Sequence, residues 1–165
     1  MSILPPRGDL QTATGAWSVR SNDAVLRATG VLSLLAIGAI HFLQIVPTTE
    51  ATPLLGLAFL VLIVAAVLLA ARLATSSDPR SWTACALLSA GALGGYVFTR
   101  TFSTPFDNVD VGNWSCMLGL AAIFVETTLL ASSVYAAMTM RALQRAVAPA
   151  PARSAGIPPG RSSAA

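Results

Sequence analysis

Four apolar stretches, at residues 28–46, 54–73, 82–99 and 114–138, constrain this chain more than any other feature. Each is about the ~20 residues that an α-helix needs to cross ~30 Å of hydrocarbon. The expected fold is an all-α membrane protein, a four-transmembrane-helix bundle with a lipid bilayer as its solvent. Charge content agrees, since only 10% of the residues are charged and mean hydropathy is +0.70, against about 25% charged in soluble domains. The spans use about half of the 165 residues. Short loops and two tails make up the rest, so no second globular domain fits.

Basic residues set the expected orientation. All ten are Arg, with no Lys. Segment 1–27 carries Arg7, Arg20 and Arg27, the second connection Arg72 and Arg80, and segment 141–165 carries Arg141, Arg145, Arg153 and Arg161. The first connection, Pro47 to Pro53, has none, and the third has only Arg100. Nine against one places both termini on the cytoplasmic side of a plasma (inner) membrane. Glu50, Asp107 and Asp110 then make the outer face acidic. The first apolar run is too long for a signal-peptide core and follows a polar segment, so it reads as a retained span despite the small-x-small triplet Thr49-Glu50-Ala51. No basic cluster interleaved with aromatics points to nucleic acid.

Residues 1–22 and 146–165 are rich in Pro, Gly, Ser, Thr and Ala and read as disordered tails. Within the spans, small residues let helices approach in lipid. Gly91 and Gly95 at GxxxG spacing, and Gly119 on the fourth span, are the expected helix-packing residues, within the bundle or in a homo-oligomer. Ser115, Gly119, Ala122, Glu126 and Ser133 fall near one face of the fourth span, and Gly30, Gly38, His41 and Gln44 near one face of the first. These two lanes hold the only ionisable residues well inside the spans. They are expected to face protein while bulky Leu, Ile and Val face lipid.

Glu126 is the residue to single out. It lies twelve residues past Trp114, hence about 18 Å from the outer boundary and near the midplane. A carboxylate there costs about 2.5–3.5 kcal/mol on insertion scales, so it must be protonated, paired or beside water. Equal-depth counting puts Ser33 and Ser89 at its level as hydrogen-bond partners. The structural reading is a neutral, hydrogen-bonded acid. The functional one is a proton- or ion-coupling carboxyl.

His41 is the only histidine, counted about 7 Å inside the outer end of its span, at the depth of Tyr96. It is the second coupling candidate. With Cys116 and Met117 it makes a soft donor set for Cu(I), although those two side chains diverge by about 100° on a helix. A packed histidine bonded to Tyr96 or a carbonyl is the simpler reading. Cys85 and Cys116 lie at opposite depths, too far apart for a disulfide. Arg100 is expected to snorkel outward and pair with Asp107 or Asp110, an exposed pair worth about 0–1 kcal/mol. An Asp107–Asp110 cation site reads more simply as turn chemistry, and the Asn113-Trp114-Ser115 sequon abuts the membrane.

Without Lys there is no P-loop lysine, Schiff base or Ser–Lys dyad, and GxSxG, HExxH and CxxC are all missing. No enzyme activity and no cofactor are expected. The segment Gly95-Tyr96-Val97-Phe98-Thr99-Arg100-Thr101, then Asp107 to Asp110, Gly112-Asn113-Trp114, Leu118-Gly119-Leu120 and the later Glu126 resemble a group of small uncharacterised actinobacterial four-span integral membrane proteins. The likeness covers roughly residues 28–130 and departs where Cys116-Met117 replace a Glu-Pro pair. It implies four helices and no particular activity. Three functions stay open: an accessory or assembly subunit binding other membrane proteins, a proton- or ion-coupled transporter or channel component using Glu126, and a membrane metalloprotein using His41. The first best explains the small size and the missing catalytic groups.

Overall fold

Two X-Pro dipeptides set the helix starts. Proline disfavours the helical region for the residue before it and suits the first helical turn itself. In the computed structural model, which describes residues 7–76, 78–103 and 110–147, with side chains from residue 22 onward except 143, 144, 146 and 147, the chain forms four helices. They are α1 (Arg7–Ala51), α2 (Pro53–Thr75), α3 (Pro79–Thr101) and α4 (Met117–Val147). All four are long and apolar enough to cross a membrane. A helix suits that setting because it satisfies its own backbone polar groups.

The first two breaks between elements are shorter than expected, and the third lies later than expected, between Thr101 and Met117, so that α4 begins at 117 and not at 114. The first connection is not a loop from Pro47 to Pro53. Helix α1 runs through Pro47 to Ala51, and only the extended Thr52 (φ −148°, ψ 91°) separates it from Pro53. The tail expectation is also corrected for residues 7–22, which are helical. No proline occurs between Pro6 and Pro47 to interrupt them. Likewise α4 continues past 141 to Val147; residues 148–165 and Asp107 lie outside the described residues.

The α1–α2 hairpin is tight because of Gly56. A Cβ there would lie 2.8 Å from the Thr49 Cα and press on its hydroxyl. At the other end of α2, Arg27 donates to the Leu73 and Ala74 carbonyls, 3.1 and 2.9 Å away. A cation suits the unsatisfied carbonyls of a helix C-terminus. Gly30 beneath it admits Leu73 and Trp82, whose atoms would lie 2.7 and 3.1 Å from a Cβ.

Helix α3 starts at a cap. Asp78 accepts the Arg80 N–H at 2.9 Å and meets the Arg72 guanidinium at 3.2 Å. The Arg80 N–H, with the two guanidinium charges, holds the Asp78 carboxyl below its ordinary value. A depressed pKa contributes stability in full above the unfolded value and loses it as pH falls through the folded one. Asp78→Ala is therefore expected to lower the thermal midpoint at neutral pH, with the gap from wild type closing in acid; a gap that persists there would show that the cap is not the cause.

The core lies toward this Asp78 end, where Leu34, Ile37, Leu73, Trp82, Cys85 and Leu129 are buried. Helix α1 packs on α2 and α4, and α3 on α4, while α2 meets α3 more lightly. On α4 the buried positions are Gly119, Ala122, Glu126, Leu129, Ser133 and Ala136, a 3–4 spacing that gives one continuous inner seam. Leu32, Phe42, Leu68, Leu87 and Phe124 are among the large side chains facing outward.

Candidate functional site

His41 and Glu126 meet. His41 Nε2 lies 3.7 Å from Glu126 Oε1, and the two residues are 7% and 1% exposed. Ion pairing reaches this far, but a hydrogen bond does not. The depth count that separated them began at the wrong boundary. Because α1 continues to Ala51 and α4 begins at Met117, each residue is about 14 Å along the helix from that end.

The ring's orientation fixes where its proton sits. His41 Nδ1 is 2.9 Å from the Ile37 carbonyl. A carbonyl only accepts, so Nδ1 carries hydrogen and Nε2 presents a lone pair to Glu126 when the ring is neutral. One further proton then serves the pair, on the carboxyl or on Nε2, and the pair is neutral overall either way. Phe59 of α2 stands edge-on to the imidazole, ring centroids 4.7 Å apart at 82°. Sequence reasoning missed this contact; period-based reading of α2, which is apolar from Pro53 to Ala71, had no signal to find it.

Glu126 Oε2 is buried with no hydrogen-bond partner. Ser89 does not supply one, contrary to the depth count, because its Oγ also lacks a partner. The hydroxyls of Ser81 and Ser133 are unpartnered too. Outward-facing hydroxyls behave differently: Thr128 and Thr139 donate to the carbonyls four residues earlier, at 2.8 and 2.9 Å.

Glu126 and His41 border a cavity of about 800 Å³ at the Thr52 end, walled by all four helices. Apolar lining comes from Leu55, Phe59, Leu62, Leu88 and Ala122. The cavity opens between α2 and α3, where lining residues Val61 and Leu87 are 61% and 69% exposed. Gly91 and Gly95 line this opening and are not packed against another helix, since a Cβ on either would meet nothing within 4 Å. Gly119 does pack, for a Cβ there would lie 2.8 Å from the Tyr96 ring.

Arg100 clasps the top of the cavity and is not an exposed snorkelling residue. It is 8% exposed, pairs with Asp110 at 3.0 Å, donates to the Asn113 carbonyl at 2.8 Å and to Thr99 Oγ1 at 3.0 Å, and stacks 4.6 Å from the centre of the Tyr96 ring. The Arg100 carbonyl accepts the N–H of Gly112, whose φ of +79° is disfavoured for other residues. Tyr96 OH donates to the Trp114 carbonyl at 3.3 Å, leaving His41 to the Ile37 carbonyl. Removing several charge-assisted bonds at once is costly, so Arg100→Ala is expected to cost about 2–3 kcal/mol. Thermal unfolding in detergent measures this, with Arg100→Lys intermediate; an unchanged midpoint would refute the clasp.

The soft donor set is not assembled. Cys116 borders the cavity with His41, but Met117 is 82% exposed. Among the described residues no three His, Cys, Asp or Glu side chains gather closely enough to hold a metal ion. Both cysteines are free. Comparison with protein-family models, curated proteins and solved structures returns no match, so these residues carry the functional argument alone.

Proposed function

We propose that this protein is a proton-coupled carrier component of the plasma membrane in which Glu126 and His41 take up and release a proton in step with a ligand in the cavity. The observation that carries the reading is a buried acid–base pair whose second carboxylate oxygen has no partner at the cavity's edge. Intramembrane ionisable groups are costly and mark proton or substrate pathways. Among the described residues no second carboxylate or guanidinium pairs with the acid, so its charge depends on the proton it shares with His41. The arginine distribution orients the reading: both termini and the Asp78 end are cytoplasmic, and the cavity belongs to the outer half. No reaction is assigned to the chain.

Proteoliposomes carrying an internal pH indicator test the proposal. Wild type is expected to move protons down an imposed gradient, and Glu126→Gln, which keeps the shape but not the ionisation, to lose that movement. Equal rates would sink the reading. His41→Ala is expected to slow it, because the alternative seat for the proton is gone.

An accessory or assembly role is the second reading. The open lane of Gly91, Gly94 and Gly95 on α3 favours it, since small residues admit a neighbouring helix in lipid. A stoichiometric partner co-purified from native membranes and lost in Gly91→Leu would support this role.

A further inference from the structure

The charges around the cavity select the kind of ligand it takes. Besides His41, its described lining holds three side chains that can carry a full charge near neutral pH, Arg100, Asp110 and Glu126. Arg100 and Asp110 cancel at 3.0 Å, and the guanidinium is further committed to Asn113, Thr99 and the Tyr96 ring. No described cation of the lining is left for an anionic ligand. Glu126 Oε1 meets the imidazole, and its buried Oε2 has no hydrogen-bond partner. The other titratable groups of the lining are His41 on α1, Tyr96 on α3 and Cys116 in the third connection; α2 contributes none.

We propose that the cavity binds a lipophilic organic monocation, such as a quaternary phosphonium or a protonated tertiary amine, as the counter-ion of Glu126 in exchange for one proton. This rests on the proton-carrying reading above and adds the substrate class to it. Its walls suit such a ligand: apolar side chains of all four helices dominate the lining, with Gln44, Thr48, Thr52 and Thr99 among them, and Glu126 is the described carboxyl of the lining not held by a guanidinium. Its volume of about 800 Å³ lies within the roughly 300–1,000 Å³ of sites for drug-sized molecules. Its opening lies between two lipid-facing residues, Val61 and Leu87, so a ligand dissolved in the bilayer reaches it sideways.

The exchange balances. The O–H bond of the protonated carboxyl breaks, the electron pair stays on the carboxylate oxygen, and the proton leaves for water. The cation takes its place by electrostatic attraction, with no covalent bond formed and no redox change. The pair falls from net zero to minus one and the ligand restores zero, so the buried site carries no uncompensated charge in either state. A neutral ligand would leave the proton in place. An anion would add its charge to a site whose described residues leave no free cation.

Full-length protein in detergent, mixed with tetraphenylphosphonium at varied pH, tests the assignment. Binding is expected to be saturable, to release about one proton per cation into weakly buffered solution, and to weaken as protons compete at lower pH. Glu126→Gln is expected to weaken it by about tenfold or more, with Glu126→Asp recovering part. Should Glu126→Gln fold poorly, Gly91→Leu serves instead: position 91 borders the cavity with open space around it, so the larger side chain blocks the ligand without disturbing packing. Absence of saturable binding by wild type, binding unaffected by both variants, or tighter binding of the isosteric anion tetraphenylborate would overturn the proposal. A ligand-free proton titration separates the two readings. If wild type takes up a proton that Glu126→Gln does not, yet binds no phosphonium, the substrate class fails while the proton-carrying pair stands; if no such proton exists, both fail.

Discussion

Glu126→Lys is expected not to accumulate in the membrane. The carboxyl is 1% exposed, about 14 Å along α4 from its first residue, and faces His41 at 3.7 Å. A lysine there places an ammonium against an imidazole whose Nδ1–H is committed to Ile37. No described carboxylate lies nearby to neutralise it, since Asp110 is held by Arg100. An unpaired charge at the helix centre costs about 2.5–3.5 kcal/mol on insertion scales and more when it is locked in protein. Glu126→Gln stays neutral, and its amide N–H can donate to Nε2, so it should accumulate like wild type. Quantitative immunoblotting of membrane fractions distinguishes the two. Wild-type levels of the lysine variant would mean that water reaches the pair freely, and the charge argument for the site would go. Poor accumulation of the glutamine variant would show that ionisation itself supports the fold.

Gly56→Val is expected to break the α1–α2 hairpin. The close contact of Gly56 is with the Thr49 Cα, 2.8 Å from where a Cβ would stand. Backbone cannot rotate out of the way as a side chain can. Position 56 follows the single-residue turn at Thr52 by four residues, and its N–H bonds the Thr52 carbonyl at 3.0 Å, so the helices have no slack to separate there. Overpacking costs about 1–3 kcal/mol where neighbours can yield; here the upper end or beyond is expected, with Gly56→Ala smaller in the same direction. Thermal unfolding in detergent reads the loss. Because Thr52 and Phe59 flank the hinge and line the cavity, the variant should also lose phosphonium binding. Unfolding at the wild-type temperature would mean that the hairpin opens without cost.

Much of the architecture was legible because it rests on local chemistry. Apolar runs of membrane length specify helices wherever they sit. Thr52-Pro53 and Asp78-Pro79 start α2 and α3 through a steric effect between adjacent residues. The lanes on α1 and α4 were readable from periodicity, since buried residues on a packed helix recur every three or four positions, except that Ser115 is exposed and precedes α4. Pro47 lies inside α1 and not at its end. Proline is found at ends more often than inside helices, and that one boundary moved His41 about a turn or more away from its partner.

What sequence alone determined, then, is that four helices of this chain can cross a bilayer, and that one acid and one imidazole are buried among them. Those properties follow from hydrophobicity and helical period. Only the tertiary structure decided that the two groups meet across α1 and α4, that Arg100 is locked against Asp110 and Tyr96, and that Gly91 and Gly95 border an opening instead of a contact. Pairing across helices depends on how far each extends and how it is rotated, which packing over the whole fold sets and no single window of sequence contains.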